Sequence, residues 1–156
     1  MVVIAARVAW DTYQRFHAWV CQAERSLGHA KYLAFYAQGE IQAAVPEILE
    51  KHESVVLERG KYSGLLGETV NKMLDLASKE AGDESWQDGG IQKFAAGDVV
   101  QVVVLTAPDD RRTVKLAQSV KNDKKAKSGA NTAFTMGQRY VSLAKLKQAK
   151  TTAELE

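Results

Sequence analysis

The sequence predicts an α+β fold: a small, mostly antiparallel sheet or barrel, flanked by two main helices and a short C-terminal helix. Strand-like segments outnumber helical ones, and they follow one another without regular helical crossovers. A strict alternation of strands and helices would predict a parallel sheet instead. With 156 residues, of which 46% are hydrophobic and 26% charged, the chain fits a single domain spanning residues 1–156.

The first third of the chain predicts a strand, a helix and a hairpin. Val2–Ala9 is apolar and β-branched, which is typical of a buried strand. Apolar residues spaced by three and four predict a helix over Asp11–Leu27. Gln38-Gly39 is a favourable hairpin turn, so Tyr32–Ala37 and Glu40–Val45 are expected to pair.

The rest of the chain predicts one long helix among several strands. Near-continuous valines at Val99–Thr106 indicate a strand that is covered on both faces. Residues 121–131 are rich in Lys, Gly and Ser without an apolar period, which predicts a flexible basic loop. The other expected elements are strands at Ser54–Glu58, Arg112–Leu116 and Phe134–Val141, a helix over Lys61–Ala81, and a short helix capped by Ser142.

Composition limits the class of protein. Uninterrupted apolar runs such as Val102–Leu105 are far shorter than the ~20 residues that a spanning helix needs. Cys21 is the single cysteine, so no intrachain disulfide forms and a reducing compartment is expected. The first residues lack the basic lead and the cleavage site of a signal peptide. We therefore expect a cytoplasmic protein without a membrane span.

Charge is distributed unevenly along the chain. Residues 1–100 contain 10 Lys and Arg against 14 Asp and Glu, a net charge of −4. Residues 101–156 contain 11 against 5, a net charge of +6. A basic face fits a phosphate-bearing partner, although a Lys-rich surface also serves simply to keep a protein soluble. Both interpretations stay open at this point.

Most catalytic and metal-binding patterns are missing from the sequence. His17, His29 and His52 are scattered, and no pair has the spacing of two ligands on one helix face. No G-x-S-x-G motif is present, and Cys21 would lie inside the predicted helix, away from an activating N-terminus. No catalytic residue, metal or other cofactor is therefore assigned, and the sequence favours a protein that is not an enzyme.

The start of the predicted second helix offers a candidate anion site. The stretch Gly60-Lys61-Tyr62-Ser63 lacks the upstream glycine of a phosphate-binding loop and has Tyr where Ser or Thr should follow Gly-Lys. Lys61 and Ser63 nevertheless lie where free N–H groups and the helix dipole favour an anion. The alternative is that small residues at this position only allow close packing.

A metal-dependent nuclease is one alternative function. It would use Glu68, Asp98 and Asp110 as metal ligands and Lys115 as an electrostatic stabiliser. The central strand, however, has no carboxylate-x-Lys step, and Asp98 after Gly97 is equally well explained as a turn residue.

Aromatic and basic residues together predict nucleic-acid binding. Strand alternation places Tyr32 and Tyr36 on one face of their strand and Leu33 and Phe35 on the other, so one face is expected to supply stacking surface. Aromatic side chains stack on bases, while Lys and Arg contact phosphates. The candidate residues for nucleic-acid binding are Trp10, Tyr32, Tyr36, Trp86, Arg111, Lys124, Lys125 and Arg139.

Two stretches also carry a resemblance to a known group. They are Tyr-Leu-Ala-Phe-Tyr-Ala-Gln-Gly-Glu-Ile at residues 32–41 and Phe-Ala-Ala-Gly-Asp-Val-Val at residues 94–100. Both resemble PUA-like domains, the group that includes ASCH and EVE modules. The resemblance implies a small β-barrel that binds RNA or modified bases in an aromatic-lined pocket. The long second helix and the basic loop at 121–131 depart from the pattern, so no pocket residue is carried over.

The sequence thus favours a small module that binds nucleic acid or a nucleotide through aromatic stacking and a basic C-terminal face. A protein-interaction or regulatory domain is the main alternative. Its partner would be another protein, and the apolar stripe Tyr13–Leu27 would be shared between core and interface. The nuclease is the second alternative.

Overall fold

The structure, a computed structural model, confirms the α+β class. It describes residues 1–6, 9–23, 27–81, 85–88 and 92–156, and their side chains except at 79–81, 85–88 and 92–93. Within these ranges no helix is both long and apolar enough to cross a membrane. The elements in chain order are β1 (Val2–Ala5), α1 (Ala9–Phe16), β2 (Ala18–Gln22), β3 (Leu33–Ala37), β4 (Glu40–Ile41), β5 (Ala44–Val45), β6 (Ile48–Val56), α2 (Gly64–Ala81), β7 (Ser85–Asp88), β8 (Gln92–Ala95), β9 (Val99–Leu105), β10 (Val114–Lys115), β11 (Val120–Lys121), β12 (Gln138–Tyr140), α3 (Leu143–Gln148) and a 3-10 helix (Thr152–Leu155).

The chain divides into two compact units, and it enters each unit more than once. Unit 1 comprises Met1–Arg7, His29–Glu47 and Pro108–Glu156. Unit 2 comprises Val8–Gly28 and Ile48–Ala107. Unit 1 therefore contains most of the basic C-terminal part of the chain.

Unit 1 is built on a five-stranded sheet in the order β11-β4-β3-β1-β12. β1 and β3 run parallel, and the other neighbouring strands are antiparallel. β5 and β10 form a separate antiparallel pair. Val3 and Ala34, which pair across the parallel strands, belong to the core that Leu146 of α3 and Leu155 of the 3-10 helix cover. This core fixes the C-terminal segment against the sheet.

Unit 2 contains the antiparallel sheet β2-β9-β6, with β9 in the middle as the valine run predicts. Val102 and its neighbours two residues away face a core shared with Val70 and Met73 of α2. β7 and β8 form an antiparallel pair in the same unit. The predictions of a strand at 99–106 and of a long helix ending at residue 81 are confirmed, although that helix begins at Gly64 rather than at Lys61.

The predicted helix over Asp11–Leu27 is wrong between His17 and Gln22, and residues 24–26 lie outside the described part of the chain. The helix ends at Phe16, and His17 adopts a left-handed conformation with φ 53°. Residues Ala18–Gln22 continue as strand β2, in which the first four residues are buried. The spacing of Phe16 and Val20 imitates a helical stripe, but pairing with β9 favours the strand. The interaction surface expected from this stripe therefore does not exist as a helix face.

The basic segment at 121–131 contains short regular contacts. Lys121 pairs with Glu40 in β4, and Lys125 forms an antiparallel bridge with Asn131. Gly129, with φ +81°, permits the tight reversal between the two sides of the bridge. The predicted flexibility of this segment stays a prediction.

Candidate nucleic-acid interface

A pocket of about 390 Å³ lies in unit 1 beside the turn that joins β3 to β4. Gln38 and Gly39 have φ values of 55° and 82°, as a tight two-residue hairpin turn requires. The volume falls in the range of small-molecule sites, about 300–1,000 Å³. The pocket is lined by Ala5, Ala6, Tyr36, Ala37, Gln38, Gly39, Ala133 and Thr135.

Tyr36 supplies the aromatic wall of this pocket. Its ring centroid lies 6.3 Å from that of Phe134, with 59° between the ring planes. The guanidinium carbon of Arg139 lies 4.5 Å from the centroid of the Phe134 ring, which is a cation–π contact. Two aromatic rings and one guanidinium group therefore form a continuous row beside the pocket.

The strand face that carries Tyr32 and Tyr36 differs from the expected free stacking surface. Both tyrosines are half-buried and pack against the core of unit 1. Leu33 and Phe35 on the opposite face are fully buried as well. Neither face of β3 is therefore a free stacking surface, and Tyr36 is accessible to a ligand where it lines the pocket.

A carboxylate joins two of the predicted basic residues. Oε1 of Glu156 accepts hydrogen bonds from Nη2 of Arg139 at 2.9 Å and from Nζ of Lys124 at 3.1 Å. These bonds, the one from Lys124 foremost, lower the pKa of Glu156. Lys124 and Arg139 are thus brought together, and Arg139 is also held against Phe134. We refer to Tyr36, Lys124, Phe134, Arg139 and Glu156 as the cluster.

The segment 150–156 is held in place by several contacts with residues 121–123. Thr152 donates a hydrogen bond to Oδ1 of Asn122 at 2.9 Å, and the N–H of Ala153 donates to Oδ1 of Asp123 at 2.9 Å. Hydrogen bonding, first from the Thr151 side chain and then from the Ala153 N–H, lowers the pKa of Asp123. Contacts with the basic segment at 121–131 therefore fix the position of the residues that lead to Glu156.

The remaining candidates of unit 1 lie apart from this cluster or have other contacts. Nζ of Lys31 lies 5.4 Å from the ring centroid of Tyr32. Lys125 donates to the side chain of Asn131. Arg111 is exposed in the turn after β9, next to the ion pair between Arg112 and Asp110. Hydrogen bonds from Arg112 lower the pKa of Asp110 to about 2.

Four predicted residues belong to unit 2 instead. Trp10 lies in α1, with its ring centroid 5.5 Å from that of Tyr13. Trp86 lies in β7 opposite Phe94, and its side chain is outside the described part of the chain. Lys61 is bound to Glu58 at 2.8 Å, and that hydrogen bond raises the pKa of the lysine. An anion at Lys61 and the exposed Ser63 would have to compete with Glu58.

Two of the residues proposed for a nuclease, Asp98 and Asp110, have other partners. Oδ2 of Asp98 accepts the N–H of Ala95 at 2.9 Å and closes the turn between β8 and β9. Asp110 is bound by Arg112 at 2.7 Å. In the part of the chain that the structure describes, no three His, Cys, Asp or Glu residues are grouped as metal ligands. The described residues therefore give the nuclease hypothesis no support.

Sequence reasoning missed two members of the cluster. The sequence predicts Phe134 only as the start of a strand and gives Glu156 no role. No local pattern distinguishes either residue, since their importance comes from contacts with residues distant in sequence.

The chain matches no protein-family model, no curated protein and no solved structure. The PUA-like resemblance thus depends on its own two stretches alone. Residues 32–41 form the β3–β4 hairpin of unit 1, while residues 94–100 form the β8–β9 turn of unit 2.

Proposed function

We propose that unit 1 is a small nucleic-acid- or nucleotide-binding module. A base enters the pocket beside Tyr36, and Lys124 and Arg139 contact the attached phosphates. One observation carries this proposal: an aromatic-walled pocket and two neighbouring cations of the basic C-terminal part occur in the same compact unit.

The pocket has the chemistry that a base needs. Four of its eight lining residues are alanines, which suit the flat faces of a base, and Thr135 adds a hydroxyl for a polar edge. Stacking on an aromatic ring contributes about 1–3 kcal/mol per base. Tyr36 is the aromatic residue placed to supply this contact, so the base would lie against its accessible ring surface.

The charge of unit 1 also favours a phosphate-bearing partner. Its three segments contain 13 Lys and Arg against 7 Asp and Glu, a net charge of +6. The two segments of unit 2 contain 8 against 12, a net charge of −4. Such a positive potential attracts nucleic acid and makes its binding dependent on salt.

The first test is a fluorescence-polarisation titration against single-stranded DNA, single-stranded RNA and duplex DNA at two salt concentrations. We expect tighter binding to a single strand than to the duplex, because a base must leave a stack to enter the pocket. Affinity should fall steeply with salt, and the salt slope should decrease by about 1 for Lys124→Gln and for Arg139→Gln. No binding to any of the three at low salt would refute the proposal.

The aromatic contact has its own variants. Tyr36→Ala should weaken binding of the single strand about 5- to 100-fold, whereas Tyr36→Phe should keep most of the affinity because the ring is retained. Tyr140→Ala is the matched control, since Tyr140 is an exposed tyrosine of the same unit and does not line the pocket. Equal effects of Tyr36→Ala and Tyr140→Ala would contradict the assignment of the pocket.

A further inference from the structure

The cations of the proposed site already hold an anion. The side chain of Arg139 is oriented on two sides: its guanidinium lies on the Phe134 ring, and its Nη1 donates to the Phe134 carbonyl at 3.3 Å. Its Nη2 then points to Glu156, whose Oε1 also accepts from Lys124. A single oxygen between a guanidinium and an ammonium group is the arrangement that a phosphate oxygen takes at a basic site.

We propose that Lys124 and Arg139 form a phosphate-binding site that the Glu156 carboxylate occupies, so that a phosphate group must displace Glu156 to bind. This inference rests on the proposed function, because it assigns that same site a built-in competitor. The ligand class is a phosphate monoester, diester or pyrophosphate, whose oxygens accept charge-assisted hydrogen bonds from the Arg139 guanidinium and the Lys124 ammonium group.

The segment that carries Glu156 is anchored independently of its carboxylate. Leu155 is 5% exposed and packs in the core of unit 1, and Thr152 is 1% exposed and bonded to Asn122. Glu156 is therefore delivered to the two cations by its neighbours in the chain, at high effective concentration. Its own side chain is 46% exposed, so it can rotate into solvent without detaching the anchor.

The competition is weak enough to be overcome. Each of the two ion pairs is partly exposed, and pairs of that kind contribute little because water and salt screen them. The lowered pKa of Glu156 means that the carboxylate is charged throughout the physiological range. Glu156 therefore selects for ligands that carry more negative charge than one carboxylate, such as a pyrophosphate or consecutive phosphates of a single strand.

The test compares Glu156→Gln with the wild-type chain, using inorganic pyrophosphate and a single-stranded oligonucleotide of about ten nucleotides as separate probes. We expect Glu156→Gln to bind both probes about 2- to 10-fold more tightly, because the competing charge is gone. Asp75→Asn is the matched control: it changes the net charge equally and also releases an ion-paired cation, Arg59, but in unit 2, and neither residue belongs to a candidate site. In the double variant Glu156→Gln/Arg139→Gln the gain should be lost.

The outcomes separate this inference from the proposed function. Tighter pyrophosphate binding by Glu156→Gln, without binding of any oligonucleotide, would support the occupied phosphate site and refute the nucleic-acid function. Salt-dependent oligonucleotide binding that Glu156→Gln leaves unchanged would refute the occupied site and leave the function standing. Equal gains in Glu156→Gln and Asp75→Asn would also refute it, since net charge alone would then explain the effect.

Discussion

Gly67 lies in the first turn of α2, and the structure leaves no room there for a side chain. A Cβ atom at this position would be 2.2 Å from the carbonyl oxygen of Tyr62. Tyr62 is fixed at its other end as well, because its hydroxyl accepts the N–H of Val56 in β6 at 2.9 Å. The contact between the start of α2 and β6 therefore depends on the absence of a side chain at Gly67.

Gly67→Ala should reverse the usual effect of this substitution. In the interior of a helix, Gly→Ala normally stabilises by about 1 kcal/mol. Here the methyl group must push the Tyr62 backbone away, and we expect the free energy of unfolding to fall by about 1–3 kcal/mol. Chemical denaturation measures the change. Glu68→Ala, at the exposed neighbouring position, is the control and should change the free energy of unfolding by less than about 0.5 kcal/mol. A Gly67→Ala variant as stable as the wild type would disprove the clash.

Among the candidate binding residues, the sequence identifies chemical types but not their neighbours. Tyr36, Lys124 and Arg139 are all predicted, because aromatic and basic residues are the ones that contact bases and phosphates. Phe134 and Glu156 are not, since the contacts that make them important join residues 36, 124, 134, 139 and 156 through the fold of unit 1. Acidic residues near a basic stretch are common on protein surfaces, so the sequence alone does not single out Glu156 as a functional residue.

For the strands and helices, local pattern is sufficient where it is unambiguous. The valine run of β9 and the turn at Gln38-Gly39 are predicted correctly, because neither pattern fits another structure well. The prediction for the segment from Phe16 to Gln22 is wrong because its pattern is ambiguous. Ala18–Cys21 are all apolar and all buried in β2, which removes the alternation by which a strand is normally distinguished from a helix.

Two valines of β9 allow the contribution of core packing to the stability of this strand to be measured. Val102 is fully buried in the core of unit 2, whereas Val99 at the start of the same strand is 53% exposed. Val102→Ala should lower the free energy of unfolding by about 2–3 kcal/mol, from the lost apolar carbons and the cavity that remains.

Val99→Ala is the matched control, because it makes the same substitution in the same strand outside the core. It should cost less than about 1 kcal/mol, which is the span of strand propensities. Thermal or urea unfolding of both variants measures the difference. Similar losses for the two positions would mean that strand propensity, rather than core packing against α2, determines the stability of β9.

The order of segments along the chain makes unit 2 discontinuous. β9 is the central strand of its sheet, but one neighbour, β2, comes from Val8–Gly28 and the other, β6, from Ile48–Ala107. A fragment of residues 48–107 therefore lacks β2 and leaves one edge of β9 open. It also lacks Phe16, Ala18 and Val20, which complete the core against α2. Few strands and an open apolar edge are poor conditions for independent folding.

We therefore expect residues 48–107 alone to show no cooperative thermal transition by circular dichroism. Nζ of Lys51 donates to the carbonyl of Gly28 at 2.9 Å, so the end of the first segment lies beside β6. A Gly/Ser linker of about eight residues is long enough to join residue 28 to residue 48. The joined chain of residues 8–28 and 48–107 should unfold cooperatively, because all three strands and both helices are then present. Cooperative unfolding of the short fragment would show that β2 is dispensable, and failure of the joined chain would show that unit 2 needs the rest of the protein to fold.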